Sequence, residues 1–153
     1  MRLRIIWPGK TRDAHLRALI EEYFGRLTHF VRCDISELRE TRGSRPAVGI
    51  DKDSDRISDA LRTSSKTILL DPSGNEWSST ELAAQIQRWE IDGIKEVAFV
   101  VGGPNGVSAK ISSQADNRWS LSRLTLTHEM ARLLLLEQLY RAYTIIKGLP
   151  YQK

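Results

Sequence analysis

Along the 153-residue chain, hydrophobic and polar positions follow two periods in turn. The apolar run LRIIW (3–7) predicts a short buried strand. Leu16, Leu19, Ile20, Tyr23, Phe24 and Leu27 then fall at i, i+3, i+4, i+7, i+8 and i+11, the single stripe of an amphipathic helix. VRCDISEL (31–38) switches to period two: Val31, Cys33 and Ile35 face one way, Arg32, Asp34 and Ser36 the other. That alternation predicts a half-buried strand near a sheet edge. Residues 39–56 are charged and broken by Gly43, Pro46 and Gly49, which predicts a surface loop, followed by a modest helix through DRISDALR (55–62).

TILLD (67–71) predicts a buried strand and PSGNEW (72–77) a turn. SSTELAAQIQRW (78–89) begins a helix, with Ser78 and Glu81 at capping-box spacing and Leu82, Ile86 and Trp89 on the inner face. EVAFVV (96–101) is a fully apolar strand. A short helix at 107–116, a strand-like RWSLS (118–122) and a long helix from Thr127 to Lys147 complete the order. With no linker, repeat or low-complexity segment, residues 1–153 are expected to form one domain. Strands alternate with helices, and the central strands are apolar on both sides. The pattern implies an α/β fold with a mainly parallel sheet, helices on both faces, and ligands beyond the carboxyl ends of the strands.

The last helix departs from a simple stripe. In HEMARLLLLEQLYRAYTII the apolar residues spread around most of the circumference. Two readings are open: a central core helix, or a helix shared between its own sheet and a second subunit. Glu137 and Arg141, at i and i+4, are spaced to pair.

Composition narrows the class. Hydrophobic residues make up 41% and charged residues 27%, ordinary for a soluble globular chain. No apolar stretch has the length of a membrane span, and the charged start MRLRIIWPGKTRD lacks the apolar run of a secretory signal. The single cysteine, Cys33, rules out an internal disulfide and suits a reducing cytoplasm. A net charge of +4 permits an anionic partner without requiring one.

Candidate chemistry centres on VVGGPNGVS, where a buried strand ends in Gly102, Gly103 and Gly106. Glycines there admit a ligand close to the backbone, or simply punctuate a tight turn. The segment is neither G-x-G-x-x-G nor followed by G-K-[ST], so a Walker-type phosphate grip is unsupported. His15, His29 and His128 are far apart and no C-x-x-C or H-E-x-x-H occurs, so no metal is expected. Arg39, Arg42 and Arg45 recur in the charged loop, with Lys52 beyond and Arg2, Arg4, Lys10 and Arg12 at the start. They form either a solvated surface or a basic rim for RNA phosphates.

The stretch RWSLSRLTLTHEMARLLLLEQLYRAYTIIKGLPY (118–151) resembles the SPOUT methyltransferase superfamily, and within it the RlmH family. The likeness extends to Gly9–Lys10, LLD at 69–71, VGGPNG at 101–106, LLEQLYRA at 135–142 and the late Pro150–Tyr151. The resemblance implies a C-terminal trefoil knot, a homodimer, S-adenosylmethionine as cofactor, and methylation of N3 of a pseudouridine in 23S ribosomal RNA. It implies a cofactor pocket in which Leu70 is an apolar wall, Gly102 and Gly103 allow close approach, and Ser122, Arg123, Leu124, Thr125, Leu126 and Thr127 wrap the adenine. On the substrate side it points to Tyr151, Arg141 and His128. Each also has a plainer reading, as Arg141 paired with Glu137 and His128 packing or capping the last helix.

Two positions depart from the family pattern. Gln152 follows Tyr151 where the family commonly has histidine, and Thr127 stands where it commonly has proline. Thr127 is a competent helix cap. Gln152 can hydrogen-bond a uracil-like edge but cannot take a proton near neutral pH. Two rival functions remain: a SPOUT enzyme acting on another RNA such as tRNA, and a non-catalytic dimeric RNA-binding protein.

Overall fold

The computed structural model describes residues 1–43 and 45–151, so the expectation for Gln152 lies outside the described residues. The elements in chain order are β1 (Arg2–Pro8), α1 (Ala14–Thr28), β2 (Arg32–Leu38), α2 (Pro46–Ala60), β3 (Lys66–Glu76), α3 (Ser79–Ile91), β4 (Glu96–Val100), α4 (Ala109–Gln114), β5 (Asn117–Ser120) and α5 (His128–Ile146). The strands form one sheet in the order β2-β1-β4-β3-β5, and every pairing is parallel. β4, wholly buried, lies at the centre, and the alternating β2 is an edge, as its pattern predicts.

The period-two strands sort their side chains between two cores. Leu3, Ile5 and Trp7 of β1, with Val97, Phe99 and Val101 around β4, meet α1, α3 and α5 on one face. Ile6, Leu69, Ala98 and Val100 point the other way, onto Ile57 of α2 and Ile111 of α4. Leu135, Leu136 and Leu139 of α5 are fully buried. Burying each side chain of this size stabilises the fold by roughly 1.5–3 kcal/mol. Of the two readings for α5, its own chain accounts for most of the apolar circumference: residues 131–146 are all buried or half-buried. Leu19, expected on the inner stripe of α1, is instead 40% exposed.

Two elements are longer than the residue pattern predicts. α2 starts at Pro46, not near Asp55. Proline costs nothing at a first helical turn, where its missing N–H would have no partner. Asp53 then fastens the preceding loop, accepting from the Thr41 N–H at 2.9 Å and from Arg56 at 3.0 Å. The charges that suggested a loop occupy the wet side of this helix. β3 likewise continues to Glu76 through the expected turn. Trp119 of β5 lies opposite both Leu70 and Asn75, so residues 71–74 bulge out of the ladder. Asp71 closes the bulge by accepting from the Ser73 N–H at 2.9 Å and its hydroxyl at 2.8 Å. Gly74 lets the bulge lie against β5, because a Cβ there would sit 2.5 Å from the Arg118 carbonyl carbon.

Among the described residues, no helix is long and apolar enough to cross a membrane.

Candidate functional site

The chain from β4 to β5 passes over β3 in the sheet order, and such reversals leave a crevice beyond the strand ends. Here the crevice is a cavity of about 630 Å³. Its walls are Leu69–Pro72 of β3, the glycine segment from Val101 to Val107, and the loop from Leu121 to Thr127, with His128 and Ala131 of α5 beside them. A volume in this range suits a small organic ligand.

The glycine segment is a tight turn. The Gly106 N–H donates to the Gly103 carbonyl at 3.0 Å, and Gly106 has φ 80°, a backbone state that favours glycine. A Cβ at Gly102 would lie 3.1 Å from the Gly106 carbonyl carbon, so Gly102 lets the turn close. A Cβ at Gly103 would meet Pro8 Cγ at 3.2 Å. Gly103 thus packs against the end of β1 and also lines the cavity.

The Leu121–Thr127 loop is held by its own serines. Ser120 Oγ donates to the Ser122 carbonyl at 2.9 Å, and Ser122 Oγ accepts from the Leu124 N–H at 2.9 Å. Thr127 caps α5, its hydroxyl accepting from the Met130 N–H at 3.2 Å. The Leu126 N–H donates to no acceptor among the described residues, which leaves it for a ligand edge. Leu124 lines the cavity yet is 74% exposed, an apolar flap at its mouth.

Of the expected cofactor residues, Leu70, Gly102, Gly103, Ser122, Leu124, Leu126 and Thr127 line the cavity, whereas Arg123 and Thr125 are exposed and do not. Pro104 and Leu121, in the same two segments, line it as well; Leu69, Asp71, Pro72, Val101, Val107 and Ala131 also line it and were not foreseen. Their signal lay in the strand-terminal apolar runs. Among the described residues, the lining contains no lysine or arginine, and its ionisable groups are Asp71 and His128. Burial alone would raise the Asp71 carboxyl, but hydrogen bonds from Ser73 and the nearby Arg118 hold it below its usual range. Burial, aided by the Arg132 charge, lowers the His128 pKa, so the imidazole is neutral at pH 7.

A smaller cleft of about 110 Å³ adjoins the cavity and shares Pro104 and His128 with it. Arg132 of α5 lines this cleft and is fully buried. Its Nη2 donates to the Pro8 carbonyl at 2.7 Å, its Nη1 to Thr11 Oγ1 at 3.1 Å, and its guanidinium carbon lies 4.8 Å from the Trp7 ring centre. Burial depresses its pKa to about 10, which leaves it charged at neutral pH.

Tyr151 and Arg141 belong to a separate cluster. Glu137 Oε1 accepts from Arg141 Nη2 at 2.6 Å and from the Tyr151 hydroxyl at 3.0 Å. The Arg141 guanidinium lies over the Tyr151 ring at 4.7 Å, and Tyr140 packs edge-on at 4.8 Å. The i, i+4 pairing of Glu137 with Arg141 is therefore present. Arg141 is thirteen residues beyond His128 on the same helix, which at 1.5 Å per residue is a separation of about 20 Å. Within one chain, His128 borders the cavity and the other two do not.

Among the described residues, no group of three or more His, Cys, Asp or Glu is placed to hold a metal ion. The fold and site together define an α/β protein with a cavity at the carboxyl ends of parallel strands and, among the described residues, no lysine or arginine in its lining to grip a polyphosphate. Comparison with known proteins makes the class specific. A family model described as "Predicted SPOUT methyltransferase" matches residues 1–152. "Ribosomal RNA large subunit methyltransferase H" of Geobacter sp. (strain M21) is 39% identical over 151 residues, covering 99% of this chain and 98% of the relative. The protein of the same name from Anaeromyxobacter sp. (strain Fw109-5) is 39% identical over 154 residues, covering 100% of both. The crystal structure of the "Probable Methyltransferase from Bordetella pertussis Tohama I" superposes with a TM-score of 0.57 at 13% identity, covering 92% of this chain and 95% of that one, a likeness of fold. The chain belongs to the SPOUT methyltransferase family.

Proposed function

We propose that this protein transfers a methyl group from S-adenosylmethionine to N3 of a pseudouridine in 23S ribosomal RNA, as a cytoplasmic homodimer with a C-terminal trefoil knot. The names of the full-length relatives support the ribosomal substrate. The observation that carries the reading is the strand-end cavity, mainly apolar, of nucleoside size and, among the described residues, lined by no lysine or arginine. Such a lining fits an uncharged adenosine with a positive sulfonium and disfavours a nucleoside polyphosphate.

When bound, S-adenosylmethionine supplies an electrophilic methyl group on sulfur. The protein's residues position the reactants and manage one proton. Leu70, Val101 and Leu126 line the cavity and would bury the adenosine, with the Leu126 N–H free to meet its edge. His128, neutral in the cavity wall, can accept the imide proton on its free ring nitrogen. Burial raises the Tyr151 pKa, reinforced by hydrogen bonds with Tyr23 and Glu137, so the phenol stays protonated. It acts as a hydrogen-bonding and stacking surface for a base, not as a proton acceptor. The bond to Glu137 keeps Arg141 cationic, able to hold an anionic base or phosphate.

Because Arg141 lies far along α5 from the cavity and Tyr151, beyond the end of α5, packs against it, they join the reaction only if a second copy carries them to it. Exposed apolar side chains at Leu19 (40%) and Met130 (37%) favour such a partner.

The test is transfer of labelled methyl groups from S-adenosylmethionine to purified ribosomes and, in parallel, to purified tRNA. Label is expected in 23S ribosomal RNA alone. Label in tRNA would give the enzyme a different substrate, and RNA binding without transfer would make it a binding protein.

A further inference from the structure

After α5 the chain turns back on the helix it has just left. Gly148, at φ 66°, takes the left-handed state that stops a helix, and the Leu149 N–H donates to the Thr144 carbonyl at 2.9 Å. The turn returns Tyr151 to the side of α5, edge-on to Tyr140 and under the Arg141 guanidinium. α1 reaches the same place. Tyr23, half-buried on α1, has its ring 6.0 Å from that of Tyr140 and its hydroxyl 3.3 Å from that of Tyr151.

The protons at this junction have one consistent order. Glu137 Oε1 accepts from Arg141 Nε at 3.0 Å as well as from Nη2, and Oε2 accepts from Gln138 at 2.7 Å. Burial, with hydrogen bonds to Tyr23 and Glu137, raises the Tyr151 pKa, so its proton is present at neutral pH. A carboxylate only accepts, so that one proton goes to Glu137, at 3.0 Å. The 3.3 Å contact between the two phenols is then completed by the Tyr23 hydroxyl donating to the Tyr151 oxygen. The chain runs from Tyr23 on α1 to Tyr151 to Glu137 on α5, each bond polarising the next. Tyr151 has no proton left to offer a base. What remains for a substrate is its ring, and Arg141 Nη1, which makes no hydrogen bond among the described residues.

Packing does not account for the Tyr23 hydroxyl. The ring packs near Tyr140, and the Arg26 guanidinium lies over it at 5.2 Å; phenylalanine would keep both contacts. Among the described residues, the hydroxyl's one hydrogen bond is to Tyr151.

We propose that Tyr23 is a positioning residue for methyl transfer: its hydroxyl aligns Tyr151, and with it the stacked Arg141, for the RNA base. The inference rests on Tyr151 and Arg141 serving the reaction. Tyr23 lies outside the cavity lining and acts through Tyr151 alone. Holding a ring within about 0.5 Å of its productive place requires this kind of support from a neighbouring element.

Single-turnover transfer of labelled methyl groups to purified ribosomes, at saturating S-adenosylmethionine, tests this in four proteins: the natural one, Tyr23→Phe, Tyr151→Phe and the two together. Tyr23→Phe should slow transfer about three- to tenfold, the loss for one neutral hydrogen bond. Its binding of S-adenosylhomocysteine, followed by calorimetry, should be unchanged. In the Tyr151→Phe background the same substitution should cost nothing further, because the bond it removes is already gone. A Tyr23→Phe rate equal to that of the natural protein overturns the proposal. So does an equal loss in both backgrounds, which would mean that Tyr23 supports the fold and not Tyr151. If the natural protein itself transfers no methyl group to ribosomes, the reading of function falls, and the positioning role with it.

Discussion

Gly74 and Gly25 lack the same side chain in opposite surroundings. A Cβ at Gly74 would press on the backbone of Arg118 and Trp119 at 2.5–2.7 Å, where nothing can yield without moving a strand. Gly25 is exposed within α1, with nothing within 4 Å of the added atom. Gly74→Ala should therefore destabilise by about 1–3 kcal/mol, the range for overpacking. Gly25→Ala should stabilise by about 0.5–1 kcal/mol through helix propensity. Urea denaturation of the two variants checks both signs, and equal effects would mean that the bulge against β5 is not packed as described. His128 gives a second expectation at this scale. Its folded pKa lies below the unfolded value, because burial and Arg132 oppose the charge. Stability tied to this group is present above about pH 6.5 and is lost as pH falls through the folded pKa. Denaturation of the natural protein and His128→Gln between pH 7 and pH 5 should show the variant gaining relative stability as the pH drops. A constant difference would mean that the imidazole is not held neutral.

α5 connects local pattern to assembly. Its N-terminal turn borders the cavity and its far end holds the Tyr151–Glu137–Arg141 cluster, about 20 Å away by helix rise. If both ends serve one reaction, the working unit holds two chains. Light scattering at low micromolar concentration should give twice 17.4 kDa, and a monomer that methylates RNA would contradict the composite site. The elements also differ in how far they were legible. β4, α3 and α5 follow from period and caps, because fully apolar runs and the Ser78–Glu81 capping box have few alternatives. The early start of α2 was hidden by Pro46, Gly49 and a run of charges, which read as loop until the helix turns them toward water. The continuation of β3 was hidden because a bulge and a turn share the residues Asp-Pro-Ser-Gly, and only the pairing with Trp119 separates them.

For the whole molecule, the parallel sheet and the placement of the glycine segment at a strand end were within reach of the sequence; the cavity's full lining was not. Arg132 is the clearest case. In an all-round apolar helix a single arginine reads as a surface residue, yet here it is fully buried under Trp7. Only tertiary packing shows a charge whose hydrogen bonds go to the neutral Pro8 carbonyl and Thr11 hydroxyl. Gly103 adds a contact the motif did not show: it lines the cavity and also packs against Pro8. The tail motifs pointed to a methyltransferase family, and the family match over residues 1–152 agrees. What this molecule modifies is settled most directly by mass spectrometry of ribosomal RNA nucleosides from a strain lacking it. The account predicts that N3-methylated pseudouridine disappears from 23S RNA and returns when the gene is restored; an unchanged nucleoside profile would contradict it.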